Sequence, residues 1–228
     1  MQQWVPNEEG DRADADASWV RRREFGLFAV STGLGSFSSA SWGTPRETGV
    51  SAPALQRAQH EFDELATSAA RLDLRERLAF INDWVNQLVD QQSDEPGRDL
   101  WATPCETLAR GAGDCEDSAI AKFFLLRASG VAAPALRLLY TWRRPLETPA
   151  LRRAHMVATA RLPFEDPWVL DSINVLIVPL SQRDDLVPVF SFDDQQLWPR
   201  VDAQPLPPQR SELKPWRELL RRWHAQTH

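Results

Sequence analysis

The sequence predicts an α+β fold in which a helix that opens at a cysteine packs on an antiparallel sheet. Three observations carry this expectation. Apolar residues recur at spacings of three and four between Pro53 and Leu88 and again between Ala119 and Leu126, the mark of core-facing helices. From Ala135 onward the segments shorten and become strand-like, with proline-bearing breaks between them. Helices come first and strands after, in a chain of 228 residues that has room for one domain with appendages.

The elements follow in order. A first helix begins at Pro53 and presents Leu55, Ala58, Phe62 and Leu65 on one face. A second begins at Asp73, which with Glu76 has capping-box spacing, and its stripe is Leu74, Leu78, Ile81, Val85 and Leu88. Residues 91–99 read as a loop. The polar turn Gly111-Ala-Gly-Asp-Cys-Glu-Asp117 opens a third helix whose Ala119, Ile120, Phe123, Phe124 and Leu126 require burial, with a stop at Ser129-Gly130. Strands are expected at 135–142, 155–162, 168–173 and 175–178, with a weaker one at 187–192 because Pro188 interrupts it. Gln204-Pro-Leu-Pro-Pro208 reads as a stiff linker to a last helix, where Trp216, Leu219, Leu220 and Trp223 share a docking face. The expected division is 1–45 as an export signal or disordered arm, 46–203 as the domain, and 204–228 as linker and docked helix.

Composition narrows the function. A net charge of -6 and a pI near 5.3 provide no basic field for a phosphate backbone, so nucleic acid is not an expected partner. No run approaches the roughly 18 apolar residues of a membrane span. Two cysteines, Cys105 and Cys115, without C-x-x-C spacing exclude a zinc ribbon or a disulfide scaffold. Near the N-terminus, Arg21-Arg22-Arg23 precede the apolar run 25–35 and then Ser38-Ser39-Ala40, the order of an export signal. The run holds three glycines, which suits a polar arm instead, and both readings stand.

Chemistry concentrates around Cys115. At a helix start, unpaired N–H groups and the dipole favour a thiolate, whereas Asp114, Glu116 and Asp117 raise the thiol pKa unless a cation offsets them. Carboxylates on a tight turn are oxygen ligands of the kind calcium takes. A helix cap around an inert buried cysteine is the plain alternative. A nucleophile needs a base, and His155 opens a strand followed by another that carries Asp171 in an apolar setting. With a turn at 163–166, antiparallel pairing sets His155 against residues 171–174. Cysteine on a helix, with histidine and aspartate on adjacent strands, is the layout of papain-like and transglutaminase-like acyl-transfer sites.

The blocks Trp101-Ala-Thr-Pro-Cys-Glu-Thr-Leu108, Gly111-Ala-Gly-Asp-Cys-Glu-Asp-Ser-Ala-Ile-Ala-Lys122, Ala154-His-Met-Val157 and Val169-Leu-Asp171 occur in this order. With the closing segment Leu180 to Trp198, this series resembles the bacterial transglutaminase-like cysteine proteinases, the LapG family, over about residues 75 to 198. The resemblance implies a periplasmic, calcium-dependent endopeptidase that cleaves the N-terminal region of a large repeat adhesin and so controls biofilm attachment. It also implies an inner-membrane cyclic di-GMP receptor as inhibitor. By the same resemblance Cys115 is the nucleophile, His155 the base and Asp171 its orienting acid, while Asp114 and Glu116 are tied to calcium and Asp117 ranks below them. Ser118 stands where a tyrosine is expected, and an insertion-like loop runs from Arg143-Arg144-Pro145 to Arg152-Arg153. These departures bear on substrate contacts. Trp101 could border the site, although in a chain with ten tryptophans ordinary packing is the safer reading. An acyl transferase that passes the thioester to an amine, and a non-catalytic calcium-stabilised binding module of the same fold, are the rival functions.

Overall fold

The computed structural model describes residues 49–93, 100–144, 153–162, 165–198 and 213–227, all within the compact unit Ala40–His228. The expected signal or arm, 1–45, and the linker 204–208 lie outside the described residues.

Helix α1, Ala52–Ala69, has Pro53 in its first turn, where a missing N–H costs nothing, and buries Ala58, Phe62 and Leu65. In α2, Leu74–Leu88, the Asp73 carboxylate accepts from the Glu76 N–H while Glu76 accepts from the Asp73 N–H, the reciprocal cap expected from the spacing. Two-residue β1, Asp90–Gln91, then pairs in parallel with β2, Ala112–Gly113. Between them lies a short helix absent from the sequence expectations, α3, Pro104–Arg110. Its signal is Thr103, Pro104 and Glu106, a capping box with proline in the first turn. Gly111 ends it with a left-handed φ of 61°, a conformation that favours glycine.

The third expected helix is α4, Cys115–Ala128, and every residue from Asp117 to Leu126 is buried. It is the axis of the core. Helices α1, α2 and α3 cover one side of it, and a sheet covers the other. That sheet holds β3 (Leu136–Arg143), β4 (Arg153–Ala160), β5 (Trp168–Leu170), β6 (Val178–Pro179), β7 (Leu186–Phe192) and β8 (Leu197–Trp198). The order is β6-β5-β4-β3-β7-β8, antiparallel throughout, so the α+β expectation holds.

Three strand expectations change. β5 stops at Leu170 and not at residue 173, because Asp171 leaves the ladder to make side-chain bonds. The strand expected at 175–178 reduces to Val178–Pro179, with Val175 and Leu176 exposed. The segment thought weak because of Pro188 is a full internal strand between β3 and β8. A register shift lets Tyr140 pair with Phe190 and Thr141 with Pro188, so the proline sits at a bulge where its missing donor does little harm.

Helix α5, Lys214–Thr227, is seated on this core. Trp216 lies among Trp101, Phe123, Phe124 and Phe192, with ring centroids 5.3 to 6.4 Å away, and its indole N–H donates to the Asp193 carbonyl at 2.9 Å. Trp223 meets Phe62 and Phe124. Trp101 is therefore a core residue stacked on Phe192, in keeping with the packing reading and not with a place at the border of the site. Arg222 of the same helix bonds the Trp101 carbonyl at 2.6 Å and reaches buried Glu106 at 3.2 Å. No helix among the described residues is long and apolar enough to cross a membrane.

The entry to α4 is the tightest point of the fold. Buried Asp117 accepts from the Ala102 N–H at 2.7 Å and from Arg110 at 3.0 Å, tying α3 to α4. A Cβ on Gly113 would stand 2.7 Å from both the Cβ and a carboxylate oxygen of Asp117. Glycine is needed there for space. Gly113→Ala is expected to cost about 1–3 kcal/mol of stability, the usual range for overpacking; a chemical-denaturation midpoint equal to wild type would contradict this packing.

Candidate active site

Cys115 occupies the first helical position of α4, and the Asp114 carboxylate caps the helix by accepting from the Asp117 N–H at 3.1 Å. The thiol is half-buried and donates to the Glu116 carboxylate at 2.8 Å. Burial raises the thiol pKa, and so do the charge and hydrogen bond of Glu116 and the charge of Asp114, against a backbone hydrogen bond from Met156 that lowers it. In this arrangement the sulfur holds its proton. The helix start alone, which favours a thiolate, is outweighed by its acidic neighbours.

His155 stands on β4 and lines the same cleft as Cys115, with Asp114, Arg143, Arg153 and Ile173 also in its walls. Its Nε2 lies 2.8 Å from Asp171 Oδ1, and both side chains are buried. Asp171 also accepts from the Ile173 N–H at 2.9 Å and from Arg183 at 2.7 Å. Burial opposes its charge, yet the bonds and charges of His155, Ile173 and Arg183 win and hold the carboxyl well below the usual carboxylate range. An ionised Asp171 can only accept, so Nε2 carries the proton and Nδ1 keeps its lone pair. The β4–β5 register is Ala158 with Leu170 and Thr159 with Val169, inside the range expected from the hairpin arithmetic.

Several supporting residues were not singled out from sequence. Arg183 is 3% exposed and binds Asp171 and Asp185 together. Asn86 of α2 donates to the Asp171 carbonyl at 2.9 Å and accepts from Lys122 of α4 at 2.7 Å. Lys122 is fully buried, and burial pulls its pKa down to about 7 against the charges of Asp171 and Asp83. A lone lysine inside the apolar run of α4 is a signal that was open to reading. Arg183 lies in a polar loop and carries no such pattern.

The acidic residues of the turn divide their work. Asp117 is committed to Ala102 and Arg110, which agrees with its lower rank as a metal ligand. Asp114 and Glu116 remain at half-buried positions beside the cleft, and Glu116 meets the thiol. Two adjacent carboxylates that load negative charge onto a thiol fit a hard divalent cation by donor chemistry. Among the described residues no group of three or more His, Cys, Asp or Glu side chains stands ready as a metal cage. Cys105 is buried in α3 and donates to Gln59 at 3.2 Å, and burial pushes its thiol up to about 12. Both cysteines are free, and Cys105 is a buried packing residue.

No family profile matches the chain, and no curated protein sequence matches it. Solved structures do. LapG of Legionella pneumophila is 30% identical and superposes with a TM-score of 0.62, covering 75% of this chain and 94% of that one. Its EGTA-treated form gives a TM-score of 0.63 at 30% identity, covering 75% and 95%, and its calcium-bound form gives 0.61 at 30%, covering 75% and 97%. Identity at that level over nearly the whole length of the relative, on a shared fold, places this chain in the LapG family.

Proposed function

We propose that the chain is a calcium-dependent cysteine endopeptidase with Cys115, His155 and Asp171 as nucleophile, base and orienting acid. The observation that carries this reading is the cleft in which a helix-start thiol and a histidine held by a buried, ionised aspartate meet. Nδ1 of His155 takes the thiol proton, the sulfur attacks the peptide carbonyl, and the imidazolium then gives that proton to the departing amine. Water, activated by the same nitrogen, resolves the thioester. N–H groups at the start of α4 would receive the oxyanion, as helix starts do. Asp171 keeps the imidazole in the tautomer and orientation that this requires.

Asp114 and Glu116 would hold the calcium ion. Bound there, calcium would supply positive charge that offsets the carboxylates, which together with burial raise the thiol pKa. The calcium-bound and EGTA-treated forms of the Legionella relative support a metal-linked site. The finer assignment follows the family resemblance. The protein would work in the periplasm on the N-terminal region of a large repeat adhesin, restrained by an inner-membrane cyclic di-GMP receptor. A second reading, the non-catalytic binding module, draws on the thiol's bond to Glu116, which leaves the sulfur unreactive without a counter-charge.

Three outcomes test these readings. Wild type with calcium is expected to cleave the N-terminal region of a large repeat adhesin from the same genome, and Cys115→Ala to lose about 10⁴-fold or more. Undiminished cleavage by the variant would remove the nucleophile, and no cleavage by either would favour the binding module. EGTA is expected to abolish cleavage while circular dichroism stays unchanged, and calorimetry to show calcium binding weakened about tenfold or more in Glu116→Gln. Equal affinity would take Glu116 out of the site. Asp171 has a depressed pKa in the fold, so its ion pairs stabilise above the ordinary carboxylate range and are lost as pH falls below about 4. Asp171→Asn is therefore expected to be less stable than wild type at pH 7, with the gap narrowing progressively as pH falls below about 4; a constant gap in denaturation midpoints would contradict this.

A further inference from the structure

Beyond His155, the next rung on the same sheet face is a pair of arginines. Side chains two apart on a strand share a face, so Arg153 stands beside His155 on β4. The register sets Arg143 of β3 opposite Arg153, as it sets Thr141 opposite His155. Both arginines line the cleft that holds Cys115 and His155. Like charges directly opposite across a ladder repel, so this rung is unfavourable by itself. Arg143 leans on Asp185 at 3.6 Å, and Arg153 is exposed with no carboxylate partner among the described residues. Among the described residues that line the cleft, the acidic one is Asp114, on the cysteine side. The described lining is thus polarised, negative beside the thiol and positive beyond the histidine, in a chain whose net charge is -6.

We propose that Arg143 and Arg153 form a subsite for a carboxylate side chain of the peptide substrate, Asp or Glu, after the cleaved bond. A carboxylate there would relieve the repulsion between the guanidiniums and accept their forked N–H groups. The proposal rests on the protease reading and adds the substrate's charge to it. In that reading His155 protonates the leaving amine, so the residues that follow the cleaved bond pass on its side of the cleft. One rung beyond His155 is two strand residues, about 6.6–6.8 Å, which is also about two residues of an extended peptide. The acidic side chain therefore falls at about the second or third residue after the bond.

The test reads binding, so it does not depend on turnover. A random peptide library on phage is selected against calcium-loaded Cys115→Ala protein, and in parallel against the same protein with Arg143→Gln and Arg153→Gln. Asp and Glu are expected to be enriched over Asn and Gln by about three- to fivefold on the first protein, the effect of an exposed ion pair, and not on the second. The single change Arg153→Glu, at an exposed position, should move the enrichment to Lys and Arg. No acidic enrichment, or equal enrichment with and without the arginines, overturns the subsite. Wild-type cleavage of the selected peptides answers separately for proteolysis: acidic peptides that depend on the arginines yet stay uncut keep the subsite and remove the protease.

Discussion

The buried carboxylate of Asp171 is the constraint on which the rest of the site depends. An ionised carboxylate loses most of its hydration on burial and is tolerated only with charged partners and filled lone pairs. Here those partners come from elements far apart in the chain: His155 from β4, Arg183 from the loop before β7, and the Ile173 N–H from its own loop. Asn86 of α2 holds the same residue by its carbonyl, and Lys122 of α4 holds Asn86. One residue thus joins the second helix, the central helix and the sheet. Removing a single partner from such a network typically costs about 3–5 kcal/mol, because the charge left behind is still buried.

The same constraint explains the chemistry assigned to the histidine. Because Asp171 is kept ionised, it fixes a proton on the imidazole nitrogen that faces it, and the role proposed for the other nitrogen is to take the thiol proton. The sulfur faces the opposite electrostatics. Asp114 and Glu116 load its surroundings with negative charge, and Glu116 receives its proton. Burial and these carboxylates together favour the protonated thiol, and in the proposed reading positive charge at the turn would oppose the carboxylates. The proposed calcium site would thus act on the thiol, while Asp117, bonded to Ala102 and Arg110, serves the entry to α4.

Much of this was legible in the chain. The capping box of Asp73 and Glu76, the stripe of α4 and the hairpin arithmetic from His155 to Asp171 are local rules, and each survives. What was misjudged depends on tertiary context. Pro188 reads as a strand breaker until a bulge on β7 accommodates it. Thr103-Pro104-Cys105-Glu106 begins a helix too short for periodicity to reveal, although its cap was there to be read. Arg183 and Asn86 matter only because the fold brings them to Asp171, and no spacing announces that. Trp101 could be placed by sequence near the site, with packing the safer reading, and the rings of Phe192 and Trp216 decide for the core.

The central claim is that Asp171 holds His155 so that His155 can take the proton of Cys115. The rate at which iodoacetamide alkylates Cys115 in calcium-loaded protein, followed by peptide mass mapping at pH 7, tests it without any substrate. His155→Ala is expected to slow that rate by about tenfold or more, since the thiol loses its base. An unchanged rate would mean that the histidine does not serve the sulfur, and the assigned site would fall.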